Sequence, residues 1–186
     1  MKRIVCILLS LCMIFVISAC GNKNDAKSDV GLDIEKNAKL GKIPETEFSI
    51  GSDIASVKAA LQKVYDDKSV EEAVYNVVEK DDYVKIDGGN FQYYYKKGKD
   101  ADGVSYIVSF DTSFGITLGT VDIEITEKLN GFKYIQEDLT KQNAFFVLGE
   151  PEGIVYKYGL GDNTVAFFFV DDALYATAIY KAIDWE

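Results

Sequence analysis

The chain has 186 residues, a length that suits one domain or two small domains packed together. Hydrophobic residues make up 48% and charged residues 27% of the chain, which is typical of globular proteins. The absence of histidine excludes a Ser-His-Asp triad, a Cys-His pair and a zinc site with imidazole ligands. The formal charge of −10 argues against nucleic acid as a partner, and the 12 Tyr and 11 Phe favour sheet structure.

Residues 1–19 have the pattern of a signal peptide. Lys2 and Arg3 form a short basic segment, and an almost unbroken apolar run follows from Ile4 to Ile17. This run is too short to span ~30 Å of hydrocarbon as a stable anchor. It ends in Ile17-Ser18-Ala19-Cys20-Gly21, which resembles the lipobox of bacterial lipoproteins. The resemblance implies cleavage before Cys20 and diacylation of its sulfur. The alternative is an ordinary secretory signal that contains a cysteine.

Cysteine usage favours the lipoprotein interpretation. Cys6 and Cys12 lie in the predicted signal peptide, so cleavage leaves Cys20 alone and no internal disulfide can form. Cleavage also removes two of the 20 basic residues, which changes the formal charge from −10 to −12. An acidic protein is repelled by an anionic bilayer. We therefore expect the lipid on Cys20 to hold the protein at the extracytoplasmic face of the cell membrane.

Residues 20–44 are predicted to be the lipidated cysteine and a flexible tether. The stretch from Gly21 to Pro44 has no aromatic residue and few large apolar residues. It therefore buries too little surface to offset its ordering entropy. At most a transient helix is expected between Asp33 and Leu40.

The first predicted α+β module covers residues 45–125. Ser52 is expected to cap a helix that runs to about Tyr65. Ser69 is expected to begin a second helix, with Val77 and Val78 in its apolar stripe. The apolar pattern then changes to period two, which predicts strands over residues 83–86, 91–96, 104–110 and 116–125.

The second predicted module covers residues 126–186. A helix is expected from Asp138 to Leu148, because Gly149 and Pro151 provide the usual exit signal. Strands are expected over residues 154–158, 164–170 and 174–181. The strand over 164–170 is apolar on both faces, so it is either covered twice or exposes an apolar patch. The side chains expected to be buried are Leu61, Val74, Val108, Phe110, Phe146, Phe168 and Ile179.

The order of these elements resembles tandem β-lactamase-inhibitor-protein-like modules, which occur in small lipoproteins and outer-membrane assembly lipoproteins. The similarity is greatest over residues 139–180, especially in Leu148-Gly149-Glu150-Pro151 and in FFFVDDALYATAIY. It implies an α+β fold with helices packed on one face of an antiparallel sheet, in two helix-then-strand repeats. It also implies a binding surface on the sheet rather than a catalytic pocket.

Tyrosines on strands are the candidates for ligand binding, because tyrosine gives a large contact area with a polar tip. Alternation places Gln92 and Tyr94 on the sheet face away from the helices. Tyr158 and Tyr175 are the candidates in the second module. Such an open face would bind an envelope component, a secreted protein or a glycan. The alternative is that tyrosine simply packs well in strands.

The sequence predicts no catalytic residue, metal site or cofactor. Adjacent acidic residues such as Asp171-Asp172 indicate solvated turns. Asp100-Ala101-Asp102-Gly103 lacks the remaining ligands of a calcium loop. The motifs of serine nucleophiles and nucleotide-binding loops are absent. The expected function is a non-catalytic binding module. The alternative is an envelope enzyme that uses carboxylates, of the glycan-cleaving type.

Overall fold

The computed structural model describes residues 27–67, 75–97, 103–147 and 151–185, so the predictions for residues 1–26 lie outside the described residues. Within these ranges the helices are α1 (Asp29–Lys39), α2 (Ile54–Asp66), α3 (Asp122–Lys128) and α4 (Ala182–Trp185). The strands are β1 (Asn76–Glu79), β2 (Tyr83–Gly88), β3 (Phe91–Lys96), β4 (Tyr106–Ser109), β5 (Ile135–Asp138), β6 (Ile154–Leu160), β7 (Asn163–Val170) and β8 (Ala173–Lys181). No helix in this part of the chain has the length and apolar character to cross a membrane.

The eight strands of the described ranges form one antiparallel sheet in the order β1-β2-β3-β4-β8-β7-β6-β5. Strands β1 to β4 form one meander, and strands β5 to β8 form another. The two meanders join where β4 pairs with β8, with Tyr106 opposite Tyr180 and Ser109 opposite Thr177. The edges of the sheet are therefore β1 and β5.

The predicted fold class, an α+β arrangement of two helix-then-strand repeats, is wrong. The continuous sheet dominates the part of the chain that the structure describes, and the four helices there have only 11, 13, 7 and 4 residues. The helices also do not follow the repeats. The N-terminal helix α1 packs on β6 and β7, which belong to the second meander.

One helix prediction and one strand prediction in the first half are wrong, and the residues of each segment explain why. Val77 and Val78 lie in β1 and not in a helix, because β-branched side chains suit a sheet better than a helix. The predicted strand over 116–125 contains the first residues of α3. Asp122 and Glu124 place negative charge in the first turn of that helix, where the helix dipole favours it.

The strands with strong alternation or continuous apolar character are confirmed. The observed β2, β3, β6, β7 and β8 cover the predicted segments, and β4 covers the middle of the one predicted over 104–110. The helix predicted after Ser52 is confirmed as α2. Its cap is Asp53 instead, whose carboxylate accepts a hydrogen bond from the Ser56 N–H at 2.8 Å.

One face of the sheet packs against α1, α2 and α3. This face forms the larger apolar cluster, to which three helices and six strands contribute buried residues. Its buried members include Ile34, Val57, Ile86, Ile107, Ile125, Tyr158, Val165, Phe167 and Ile179.

The opposite face is covered by the segment 139–147, which is a series of turns. Leu139, Ala144 and Phe146 are buried with the second apolar cluster of the sheet. The ring of Phe146 meets the ring of Phe168 edge to face, with centroids 4.8 Å apart. Strand β7 is therefore covered on both faces. This confirms the first of the two alternatives that the sequence left open for this strand.

The helix predicted from Asp138 to Leu148 is wrong within the described residues. Asn143 Oδ1 accepts a hydrogen bond from the Thr140 N–H at 2.8 Å. Thr140 Oγ1 accepts one from the Asn143 N–H at 3.2 Å. These reciprocal bonds hold a turn, because short polar side chains compete with helical hydrogen bonds for backbone groups. Residues 148–150, which carried the exit signal, lie outside the described residues.

The predicted flexible tether is wrong for residues 29–44, since they include a helix packed on the sheet. Ile34 and Ala38 of α1 are buried one turn apart. The buried Asn163 donates a hydrogen bond from Nδ2 to the Ala38 carbonyl at 2.8 Å. A short polar helix is marginal in isolation, so the sheet beneath it stabilises α1.

Most of the side chains that the sequence predicted as core are buried. Val108, Phe146, Phe168 and Ile179 are buried, and Leu61 and Phe110 are half-buried. Val74 lies outside the described residues.

Truncating Phe168 to Ala should lower the free energy of unfolding by ~3–5 kcal/mol, because the lost apolar contacts leave a cavity between β7 and the segment 139–147. Urea unfolding followed by circular dichroism measures the change. The matched control is Ile135→Ala, an exposed apolar residue for which a change within ~0.5 kcal/mol is expected. A loss below ~1 kcal/mol for Phe168→Ala would contradict the assigned packing.

Candidate functional site

The predicted site residue Tyr94 lies on the expected face, but that face is not open there. Tyr94 is 1% exposed. The ring of Phe145, from the segment 139–147, meets it edge to face with centroids 5.1 Å apart. The Tyr94 hydroxyl donates a hydrogen bond to Oε1 of the half-buried Gln92 at 2.5 Å. The prediction that Tyr94 is the exposed centre of a binding face is therefore wrong.

The other predicted site residues do not join Tyr94. Tyr158 is 0% exposed and belongs to the helix-facing cluster, on the opposite side of the sheet from Tyr94. Tyr175 is 38% exposed, and its ring lies 5.8 Å from that of Phe110. Because Tyr94 and Tyr158 face opposite sides of one sheet, the predicted set does not line a single site.

The structure instead contains a groove beside strand β5, which we call the β5 groove. It has a volume of about 540 Å³. It is lined by Lys133, Tyr134, Ile135, Lys157, Gly159, Gly161, Asn163, Thr164 and Ala182. None of these residues belongs to the segment 139–147. The groove therefore lies where this cover does not reach.

The unequal lengths of β5 and β6 position the β5 groove. Strand β5 pairs with β6 only from Asp138 opposite Ile154 to Ile135 opposite Lys157. Strand β6 continues to Leu160, past the start of β5. The outer side of this continuation faces the groove.

Glycine keeps the β5 groove open. Gly159 is exposed, and a Cβ built on it would meet no atom within 4 Å. A side chain at this position would therefore enter open space along the groove. Gly161 follows in the β6–β7 turn with φ +77°, a conformation that favours glycine.

One wall of the groove carries an ion pair. Lys157 Nζ lies 2.8 Å from Glu137 Oε2. The hydrogen bond from Lys157 lowers the pKa of the Glu137 carboxyl. Lys133 and Ile135 are exposed on the β5 side, so ammonium and aliphatic groups stand next to each other. This arrangement can bind a ligand through polar and apolar contacts together.

Aromatic packing holds the β5 side of the sheet to α3. The ring of Tyr134 lies 4.9 Å from that of Tyr156. The Tyr156 hydroxyl donates a hydrogen bond to Asp122 Oδ2, in α3, at 2.9 Å. Burial and this hydrogen bond raise the pKa of Tyr156 to about 12. The chain that leads into β5 is thereby fixed beside the groove.

Carboxylates do not form a metal centre in the described ranges. No group of three or more His, Cys, Asp or Glu side chains there is arranged to hold a metal ion. A smaller groove of about 260 Å³ is lined by Glu152, Gly153, Ile154, Phe169, Asp171 and Asp172. Its acidic residues lie at or next to turns, which agrees with the solvated-turn interpretation of Asp171-Asp172.

Sequence reasoning missed the β5 groove. The sequence places Gly159 and Gly161 in the turn after the strand predicted over residues 154–158, and it leaves residues 131–136 open between a short strand and a loop. The signal that could have indicated the groove was Gly159-Leu160-Gly161, directly after the strand that carries Lys157.

Comparisons with known proteins support the fold alone. No family model matches the chain, and no curated protein matches it. A solved structure, that of a DUF4309 family protein (YjgB) from Bacillus subtilis subsp. subtilis str. 168, is similar with a TM-score of 0.50 and 17% sequence identity. The match covers 82% of this chain and 96% of that chain. The chain is therefore similar in fold to a DUF4309 family protein.

The buried tyrosines predict alkaline destabilisation. The pKa values of Tyr93 and Tyr156 are raised from 10.0 to about 12, with burial as the main cause. The folded state then holds more protons than the unfolded state between these values, so its stability falls as pH rises from 10.0 to about 12. Urea unfolding at several pH values measures this slope, and Tyr156→Phe should reduce it. Ionisation of every tyrosine near pH 10 without loss of the fold would contradict the assignment.

Proposed function

We propose that this chain is a lipid-anchored extracytoplasmic lipoprotein whose sheet acts as a non-catalytic binding module. The β5 groove is the observation that carries the binding role. It combines an open glycine position, an exposed lysine and an exposed isoleucine beside the part of the sheet that the segment 139–147 leaves uncovered. The motif that ends at Cys20 supports the anchor.

The proposed ligand is an envelope component, a secreted protein or a glycan. Lys133 supplies an ammonium group for polar contacts, and Ile135 and Ala182 supply apolar surface. Concave sites with a few polar groups among apolar ones are the usual form of ligand sites in proteins.

A carboxylate enzyme is not proposed, because Glu137, the acid that pairs with Lys157 of the groove, has the wrong environment. A general acid in glycoside hydrolysis needs a raised pKa. Lys157 has the opposite effect on Glu137, since their hydrogen bond stabilises the ionised carboxylate.

Replacing Cys20 with Ala tests the anchor. The variant should lose labelling by a palmitate analogue and should leave the membrane fraction or remain uncleaved, because diacylation requires the sulfur. Two acyl chains suffice for stable attachment at ~0.8 kcal/mol per buried CH₂. Cys12→Ala is the matched control and should behave like the parent chain. Normal processing and membrane fractionation of Cys20→Ala would refute the anchor.

A photo-crosslinking residue at Ala182, on the β8 side of the β5 groove, tests the binding role in intact cells. We expect a distinct set of adducts that disappears when Gly159→Phe fills the groove. Asn76→Phe places the same ring on the distant β1 edge and should leave the adducts unchanged. Circular dichroism checks that both variants are folded. Adducts that persist in the Gly159→Phe variant would refute a ligand in this groove.

A further inference from the structure

We infer that the β5 edge of the sheet is the surface that faces the lipid bilayer. This inference rests on the proposed lipidation of Cys20. It concerns how the folded part of the chain from Ser28 onward, which we call the body, is oriented on the membrane. The anchor alone does not determine this orientation. The surface, which we call the β5 edge patch, consists of Ile123, Lys128, Lys133, Tyr134 and Ile135.

The distance between the anchor and the body is short. The packed part of the chain begins at Ser28, which caps α1. Eight residue steps separate Cys20 from Ser28, so their separation cannot exceed ~29 Å whatever the conformation of the intervening chain. The body therefore cannot move far from the membrane surface.

The chain enters the body at the β5 edge. Ser28 Oγ donates a hydrogen bond to the carbonyl of Lys128, at the end of α3. Lys27 Nζ lies 4.2 Å from the ring centroid of Phe132 and 2.9 Å from Glu35 Oε2. Phe132 precedes β5 by only three positions in the chain. The point nearest the lipid is therefore fixed next to β5.

The composition of the β5 edge patch suits a membrane interface. Ile135 is 63% exposed, Ile123 is 59% exposed and Tyr134 is 44% exposed. Tyrosine and aliphatic side chains flanked by lysine stems are favoured at the level of the lipid headgroups. The exposed Glu124 and Glu127 of α3 offset the lysine charges locally. We therefore assign the contact to the apolar side chains rather than to net positive charge.

The geometry of the sheet separates the two edges. Eight strands span seven intervals, which at ~4.8 Å each place β1 roughly 34 Å from β5. If β5 faces the bilayer, β1 points away from it. The β5 groove then opens close to the lipid surface, and its ligand is one that is available at that surface.

A pair of exposed lysines provides the test. Lys133 lies in the β5 edge patch, and Lys80 follows β1 at the opposite edge. Since Cys20 is acylated in the mature protein, Lys133→Cys or Lys80→Cys gives a single reactive thiol for a fluorophore. The lipidated chain is reconstituted in phosphatidylcholine–phosphatidylglycerol vesicles that carry nitroxide on the headgroup. We expect loss of most of the fluorescence at position 133 and its retention at position 80.

The outcomes separate the two proposals. A chain that does not float with the vesicles refutes the lipid anchor. A chain that floats but shows equal quenching at both positions, or stronger quenching at position 80, refutes the orientation and leaves the anchor intact. Unchanged thermal unfolding of both labelled variants verifies that the edges are folded.

Discussion

The central strand β7 sets the constraint on which the rest of the structure depends. Its residues from Asn163 to Phe169 are buried, on both faces of the sheet. A strand of this kind is stable only when both faces are covered, since exposed apolar surface on either face would cost free energy. The helices cover one face, and the segment 139–147 covers the other. The pairing of β4 with β8 extends this doubly covered centre into one sheet.

The short segment of turns that covers the second face leaves part of that face uncovered. The segment 139–147 is short and is held by the Thr140–Asn143 turn and by Phe146 against Phe168. It reaches the middle of the sheet but contributes no residue to the β5 groove. The segment is long enough to cover Phe168 but does not extend over Gly159, which stays exposed. The limited length of this segment therefore explains both the buried centre of the sheet and the open groove beside β5.

The local sequence pattern predicted most of the central strands, but it failed for features that depend on contacts between distant parts of the chain. The continuous apolar run in β7 identifies it without ambiguity, whereas α1 has only a few apolar residues, and its packing depends on Asn163 far along the chain. Alternation put Tyr94 on the correct face, but the cover over it comes from Phe145, which no local pattern in β3 can reveal. The β5 groove depends on β5 being shorter than β6, and strand ends are the features that periodicity defines least.

The packing of α1 also shortens the spacer between the proposed anchor and the folded part of the chain. A tether that extended to Pro44 would let the body move freely above the membrane and would favour no orientation. Burial of Ile34 and Ala38 moves the start of the body back to Ser28, and the contact with Lys128 brings that start to the β5 edge. Each residue removed from the spacer restricts the angles that the body can adopt. If Cys20 carries the proposed lipid, the interactions that cover the sheet therefore favour one edge for the bilayer, and the β5 groove beside that edge would face ligands at the membrane surface.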